Sequence, residues 1–264
     1  MPDVWSYEGY FFDLDGTILL GDQLLPGVSD SLQFLRESGK KVLFLSNTTV
    51  RTRRDCQVRL QELGLQASLD EIVTAGFASA IYLRESKTSP VVLVIGESAL
   101  TRELEEQGVR YTMDPHKATH VLVGMDTHFD YTKLHHAMTA VRNGAILIAA
   151  NPDPNCPVSG DLLPDTWSLV KAIETASSVE PHVVIGKPSE FYSAKVLEWC
   201  GLPGDRCLMI GDRLETDILL GIMSGFRTAL VLTGVASRED IERLKLRPDY
   251  VWNTMEDFLA FVRA

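Results

Sequence analysis

The chain has 264 residues, 45% apolar and 23% charged, with a net charge of -11 and a pI near 5.0. That composition excludes a disordered polypeptide, and the length is enough to bury one large core or two smaller ones. The negative charge repels polyphosphate, so nucleic acid is not an expected partner. The four cysteines, Cys56, Cys156, Cys200 and Cys207, form no C-x-x-C pair, which favours reduced thiols and a cytoplasmic location. Met1-Pro2-Asp3-Val4-Trp5 has neither the basic nor the apolar part of a secretion signal. No apolar run approaches the roughly 20 residues of a membrane span, so no membrane partner is expected.

Along the chain, short apolar runs alternate with helix-period segments, the pattern of parallel strands joined by crossover helices, so the fold class is α/β. Residues 11–14 form the first expected strand and run into Asp13-Leu14-Asp15-Gly16-Thr17. A helix follows over 28–37, stopped at Gly39, then a strand over 42–46 and a helix over about 52–63 capped by Gly64. From about 85 to 181 a second alternation begins: strands over 91–95, 121–124 and 146–150, with helices near 99–107 and 131–143. The polar, proline-bearing segments 87–90 and 177–181 bracket it as connections. Strands over 183–185, 207–210 and 228–232 then resume the first pattern. In open parallel sheets ligands bind outside the carboxyl ends of the strands, so Asp13, Ser46, Lys187 and Asp212 are expected to converge.

Two carboxylates two residues apart resist joint ionisation unless a cation or a shared proton relieves them, which makes Asp13 and Asp15 a site rather than a stabilising feature. Alone, each motif has a plainer reading: Asp-x-Asp as a solvated turn, Ser46 and Lys187 as surface residues, Gly211-Asp212 as an acidic helix cap. Together, Asp13-Leu14-Asp15-Gly16-Thr17, Leu45-Ser46-Asn47, Gly186-Lys187-Pro188 and Gly211-Asp212-Arg213-Leu214-Glu215-Thr216-Asp217 resemble, in order and spacing, the four signature segments of the haloacid dehalogenase superfamily of phosphohydrolases. Only 32 residues separate Asp13 from Ser46, whereas 140 separate Ser46 from Lys187, so the insertion is of the second cap type. Within that group the chain is similar to the NagD-type phosphatases (class IIA).

The resemblance implies a Rossmann-like parallel-sheet core over 1–85 and 182–264 and an inserted, smaller and mobile α/β cap over 86–181. It implies an Mg²⁺-dependent phosphatase acting on small phosphorylated metabolites, with sugar and aryl phosphates leading and pyridoxal phosphate and phosphoglycolate as further candidates. In it, Asp13 is the nucleophile and becomes an aspartyl phosphate, Asp15 is the general acid and base, and Ser46 and Lys187 bind the phosphate. The metal is held by Asp13, the Asp15 carbonyl and Asp212, and Asp217 orients Lys187 or a metal-bound water. Thr17 and Asn47 lie beside the phosphate; Asn151, Asp153, Cys156 and Trp167 are cap residues expected to touch substrate. Cys156 stands close to where pyridoxal phosphatases carry a histidine, and Trp167 replaces a usual glycine, with burial in the cap core as its alternative. A homodimer through the cap is the partner the relatives suggest. A phosphate-ligand sensor on the same fold and a phosphotransferase remain open alternatives, whereas carbon-halogen hydrolysis is disfavoured because it needs neither Asp15 nor Mg²⁺.

Overall fold

Gly9, Tyr10, Phe11 and Phe12 form a strand in which every residue is buried, the pattern of a strand covered on both faces. In the computed structural model, which describes residues 3–158 and 161–263, this strand is the centre of a six-stranded sheet. The sheet runs Tyr250–Trp252, Arg227–Val231, Cys207–Gly211, Gly9–Phe12, Lys41–Ser46, Ile72–Thr74. Its registered pairs are parallel: Phe12 lies opposite both Ile210 and Phe44, and Leu230 opposite Gly211 and Val251. Counted along the chain, the order is 3-2-1-4-5-6, that of a doubly wound dinucleotide-type fold, with its direction of winding reversing between Gly9–Phe12 and Cys207–Gly211.

The helices cover this sheet by one apolar stripe each. Val28–Glu37 buries Val28, Ser31, Leu32 and Leu35, spaced to share a face, and packs against Met255–Arg263. Glu190–Cys200 begins at Ser189, whose hydroxyl accepts from the Tyr192 N–H, and ends on Gly201 in the left-handed region. Between the first strand and its helix lies a short hairpin, Leu19–Leu20 paired with Gln23–Leu24.

The chain divides into two compact units: Met1–Ser46, Gln57–Val73 and Lys187–Ala264 in the first, Asn47–Cys56 and Thr74–Gly186 in the second. The second unit has its own sheet, Val183–Val184, Ile146–Ala149, His120–Val123, Val91–Ile95, Arg110–Thr112, parallel throughout. Counted along the chain its order is 2-1-3-4-5, the other common doubly wound order. Its core gathers Leu93, Val121, Leu147 and Val170, with the helices Tyr131–Arg142 and Thr166–Ser177 packed together on it. An antiparallel pair, Asn155–Val158 with Asp161–Pro164, completes it.

These units depart from the expected boundaries in three places, one being Asn47–Cys56, which falls in the second unit although the expected core ran from 1 to 85. Val183–Val184 pairs with Ile148 and Ala149 in the second sheet, although the expected core began at 182. The backbone decides this: the His182 N–H donates to Leu147 and the Ile185 N–H to Ala149. A run of three apolar residues carries no signal of which sheet it joins. Likewise the helix Ala75–Arg84 packs on Ser98–Glu106 within the second unit, ahead of the expected start at 86. Among the described residues no helix is long and apolar enough to cross a membrane. Met1 and Pro2 of the N-terminal stretch lie outside the described residues.

The central strand makes the fold testable. Phe11 is fully buried and meets Phe226 edge-on at 5.1 Å between centroids. Phe11→Ala should cost about 3–5 kcal/mol in urea unfolding. A loss below about 1 kcal/mol would contradict a close-packed strand centre.

Candidate active site

The reversal of strand order places two carboxylates on neighbouring strand ends. Asp13 follows Gly9–Phe12 and its N–H donates to the Ile210 carbonyl at 2.9 Å; Asp212 follows Cys207–Gly211. Asp13, Asp212 and Asp217 are all buried, with carboxylate oxygens within 4.8 Å of one another. One buried cation stands among them. The Lys187 Nζ donates to Asp13 Oδ1 at 2.6 Å, to Asp217 Oδ1 at 2.6 Å and to the Leu45 carbonyl at 2.8 Å. Burial pulls the ammonium pKa down, but Asp13 and Asp217 push it up by more, so Lys187 is held charged well above the ordinary lysine range.

Three carboxylates against one ammonium leave an excess of negative charge. Burial raises the Asp13 pKa well above the usual carboxylate range, aided by Asp217 and Asp212 and opposed by Lys187. Burial, then the charge of Asp217, pushes Asp212 up to about 6 against the Val235 N–H, which donates to Asp212 Oδ2 at 2.7 Å. Asp217 has both oxygens committed, Oδ1 to Lys187 and Oδ2 to the Arg213 N–H at 3.1 Å. Asp13 Oδ2 and Asp212 Oδ1, in contrast, accept no hydrogen bond among the described residues, and neither does the Asp15 carbonyl. Two free carboxylate oxygens and a free carbonyl suit a hard divalent cation such as Mg²⁺. A second grouping, Glu97, Asp126 and His128, is less suited, because Asp126 already receives Lys133 at 2.6 Å and the His128 N–H at 2.9 Å.

Local backbone demands keep these groups close. Gly16 sits at φ +97°, and a Cβ there would run into the Asp212 carboxylate; one at Gly234 would do the same. Thr233 Oγ1 donates to the Gly16 carbonyl at 2.6 Å, tying the loop after Arg227–Val231 to the Asp-x-Asp turn. Ser46 is buried at the end of Lys41–Ser46, next to the residue whose carbonyl holds Lys187. Thr17 is fully buried, and its Oγ1 has no partner among the described residues. Asp15 faces elsewhere: its side chain is 49% exposed and its Oδ1 meets Arg59 Nη1 at 2.9 Å.

The remaining expected residues lie in the second unit. Asn47 Nδ2 donates to Asp153 Oδ2 at 2.9 Å, Asn151 Nδ2 to the Asn47 carbonyl at 2.7 Å, and the Asp153 N–H to Asn151 Oδ1 at 3.0 Å. The three therefore fix one another. Cys156 is partly buried in the antiparallel pair, opposite Leu163. Trp167 packs on the unit's core with Lys171 Nζ 5.0 Å from its ring, and its N–H donates to the Asp153 carbonyl. Sequence reasoning missed Arg59, Thr233, Gly234 and Val235. The one available signal was a Thr-Gly turn at a strand end, which names no partner.

Known proteins are similar to this chain over nearly its whole length. A family model described as haloacid dehalogenase-like hydrolase matches residues 10–110, and a HAD-hydrolase-like model matches 184–258. An acid sugar phosphatase of Staphylococcus aureus is 33% identical over 255 residues, covering 97% of this chain and 98% of the relative. Among solved structures, a p-nitrophenyl phosphatase from Archaeoglobus fulgidus is 34% identical with a TM-score of 0.91, covering 97% and 99% of the two chains. NagD from E. coli K-12 is 29% identical with a TM-score of 0.85, covering 95% and 97%.

Removing the buried cation tests the electrostatics. Lys187→Met leaves Asp13 and Asp217 unpaired and should cost about 3–5 kcal/mol at pH 8 in EDTA. Asp13, already raised by burial, loses the ammonium that opposes that rise and so rises further than in wild type; a carboxyl with a higher pKa folded than unfolded loses stability as pH rises. The deficit in urea unfolding should therefore grow from pH 5 to pH 8, and a pH-independent loss below about 1 kcal/mol would contradict the buried-pair reading.

Proposed function

The chain belongs to the haloacid dehalogenase-like hydrolases, and from that premise and the free oxygens of Asp13 and Asp212 we propose Mg²⁺-dependent hydrolysis of small phosphomonoesters through a phospho-Asp13 intermediate. The enzyme is a phosphoric monoester hydrolase. The names of its relatives, acid sugar phosphatase and p-nitrophenyl phosphatase, support sugar phosphates and aryl phosphates as substrate classes.

Phosphatases of this family generally use Mg²⁺, and the donor set fits it: Asp13, Asp212 and the Asp15 carbonyl would hold the ion. Once bound, it would neutralise charge on the phosphate oxygens and offset the excess of carboxylates. Lys187 fixes the Asp13 carboxylate by Oδ1, and of its two oxygens one would face the ion while the other attacks. In line with the ester oxygen, the attacking Asp13 oxygen bonds to phosphorus as the phosphorus–oxygen ester bond breaks, and Asp15 gives its proton to the departing alkoxide. Asp15, now ionised, takes a proton from water; that water attacks phosphorus and releases inorganic phosphate and the Asp13 carboxylate. Ser46 supplies a hydrogen bond to a phosphate oxygen, while Lys187, whose three N–H go to Asp13, Asp217 and the Leu45 carbonyl, supplies positive charge beside it.

The observation that carries this reading is the buried Asp13–Lys187–Asp217 chain with one oxygen of Asp13 left over. Wild type should hydrolyse 4-nitrophenyl phosphate with Mg²⁺, lose that activity in EDTA and regain it on adding Mg²⁺. Asp13→Asn should fold and fall by about 10³-fold or more, since it removes the nucleophile itself. EDTA-insensitive turnover would remove the metal, and an active Asp13→Asn would remove the nucleophile; phosphate binding without any turnover would favour a sensor.

A further inference from the structure

Asp15 is the expected acid and base, yet its carboxylate is not among the buried cluster of Asp13, Asp212 and Asp217. Its partner is Arg59, on the helix Arg53–Glu62. Arg59 Nη1 donates to Asp15 Oδ1 at 2.9 Å and Nη2 to the Gly21 carbonyl at 2.5 Å, while Nε lies 3.9 Å from Asp22 Oδ1. Gly21 and Asp22 form the tip of the hairpin whose base, at Leu19, bridges to Asp15. One planar guanidinium thus joins the Asp15 side chain to the hairpin that its own main chain starts. The Arg59 side chain is only 15% exposed, whereas Asp15 is 49% exposed, so the cation is anchored and the carboxylate keeps access to water.

This grip is one-sided. Only Oδ1 of Asp15 is held; Oδ2 carries no hydrogen bond among the described residues. A carboxylate pinned by one oxygen keeps the other to hold or move a proton, and a rigid fork restricts where that oxygen lies better than a flexible ammonium does. We propose that Arg59 is a positioning residue for proton transfer, fixing the Asp15 carboxylate against the Gly21 turn so that its free oxygen serves the leaving group. The proposal rests on the phosphatase reading and on Asp15 as its acid. Arg59 itself touches neither phosphate nor nucleophile in this role.

The leaving group separates positioning from mere support of the fold. A nitrophenolate departs without a proton, whereas the alkoxide of a sugar phosphate needs one, and kcat/KM reports the step in which each departs. The ratio of kcat/KM for 4-nitrophenyl phosphate to that for a hexose 6-phosphate is therefore measured in wild type, Asp15→Asn, Arg59→Ala, Arg59→Lys and Asp15→Asn/Arg59→Ala. Asp15→Asn and Arg59→Ala should each raise the ratio by about ten-fold or more, within the 10²–10⁴ range that a positioned acid contributes. Arg59→Lys, which reaches one partner but not both, should fall between Arg59→Ala and wild type, and it decides the matter if the alanine variant does not fold. The double variant should match Asp15→Asn.

A ratio in the Arg59 variants equal to that of wild type, with both esters slowed alike, overturns the proposal while leaving Asp15 as the acid. A double variant with a ratio well above that of Asp15→Asn overturns it too, because Arg59 would then act apart from Asp15. An unchanged ratio in Asp15→Asn places the failure one step earlier, in the assignment of Asp15. Absence of turnover of both esters in folded wild type with Mg²⁺ places it in the phosphatase reading.

Discussion

A lysine ammonium buried between two carboxylates is the constraint on which the first unit's site depends. Lys187 touches a residue after the first strand, the carbonyl one residue before the end of the second, and Asp217 beyond the fourth, so a single cation ties three strand ends. Each partner is needed. A buried ammonium without carboxylates is strongly destabilising, and carboxylates this close without the ammonium repel one another. The pairing holds Asp13 by Oδ1 and leaves its Oδ2 outside the ammonium's grip.

The sheet order explains why these groups meet. In a 3-2-1-4-5-6 sheet the crossovers leave the central strands in opposite directions, which opens a crevice at their carboxyl ends. Asp13 and Asp212 occupy those two ends although the whole second unit intervenes in sequence. Small residues then let the loops close on them: Gly16 and Gly234 flank the Asp212 carboxylate where any side chain would collide with it. Because Asp212 is buried, hydrogen-bonded through one oxygen and raised in pKa by its neighbours, it is poised for a cation rather than for solvent.

Much of this was legible in the sequence because apolar runs and punctuating residues act locally. The helix Val28–Glu37 and the strand Val91–Ile95 fall where their periodicity puts them, and Gly39 and Gly64 take the left-handed conformations expected of helix stops. The four motifs were legible as an ordered set, and the structure brings Asp13, Lys187, Asp212 and Asp217 together. What stayed hidden is non-local. Nothing near Arg59 points to a residue 44 positions earlier, and nothing near Val235 points to a carboxylate 23 positions before it. The short strand Val183–Val184 has no internal sign of its sheet, and the hairpin at Leu19 is only two pairs long. Trp167 carried two readings, and in this unit its ring packs on the core beneath Lys171.

Trapping the covalent intermediate bears most directly on Asp13. Wild type mixed with substrate and Mg²⁺, quenched and treated with borohydride should show residue 13 reduced to homoserine in its peptide, because borohydride reduces an acyl phosphate and leaves a free carboxylate intact. The same treatment without substrate should leave aspartate at 13. Turnover with no homoserine at 13, under conditions in which a reference acyl phosphate is reduced, would contradict an aspartyl phosphate and leave direct attack by water on the bound ester.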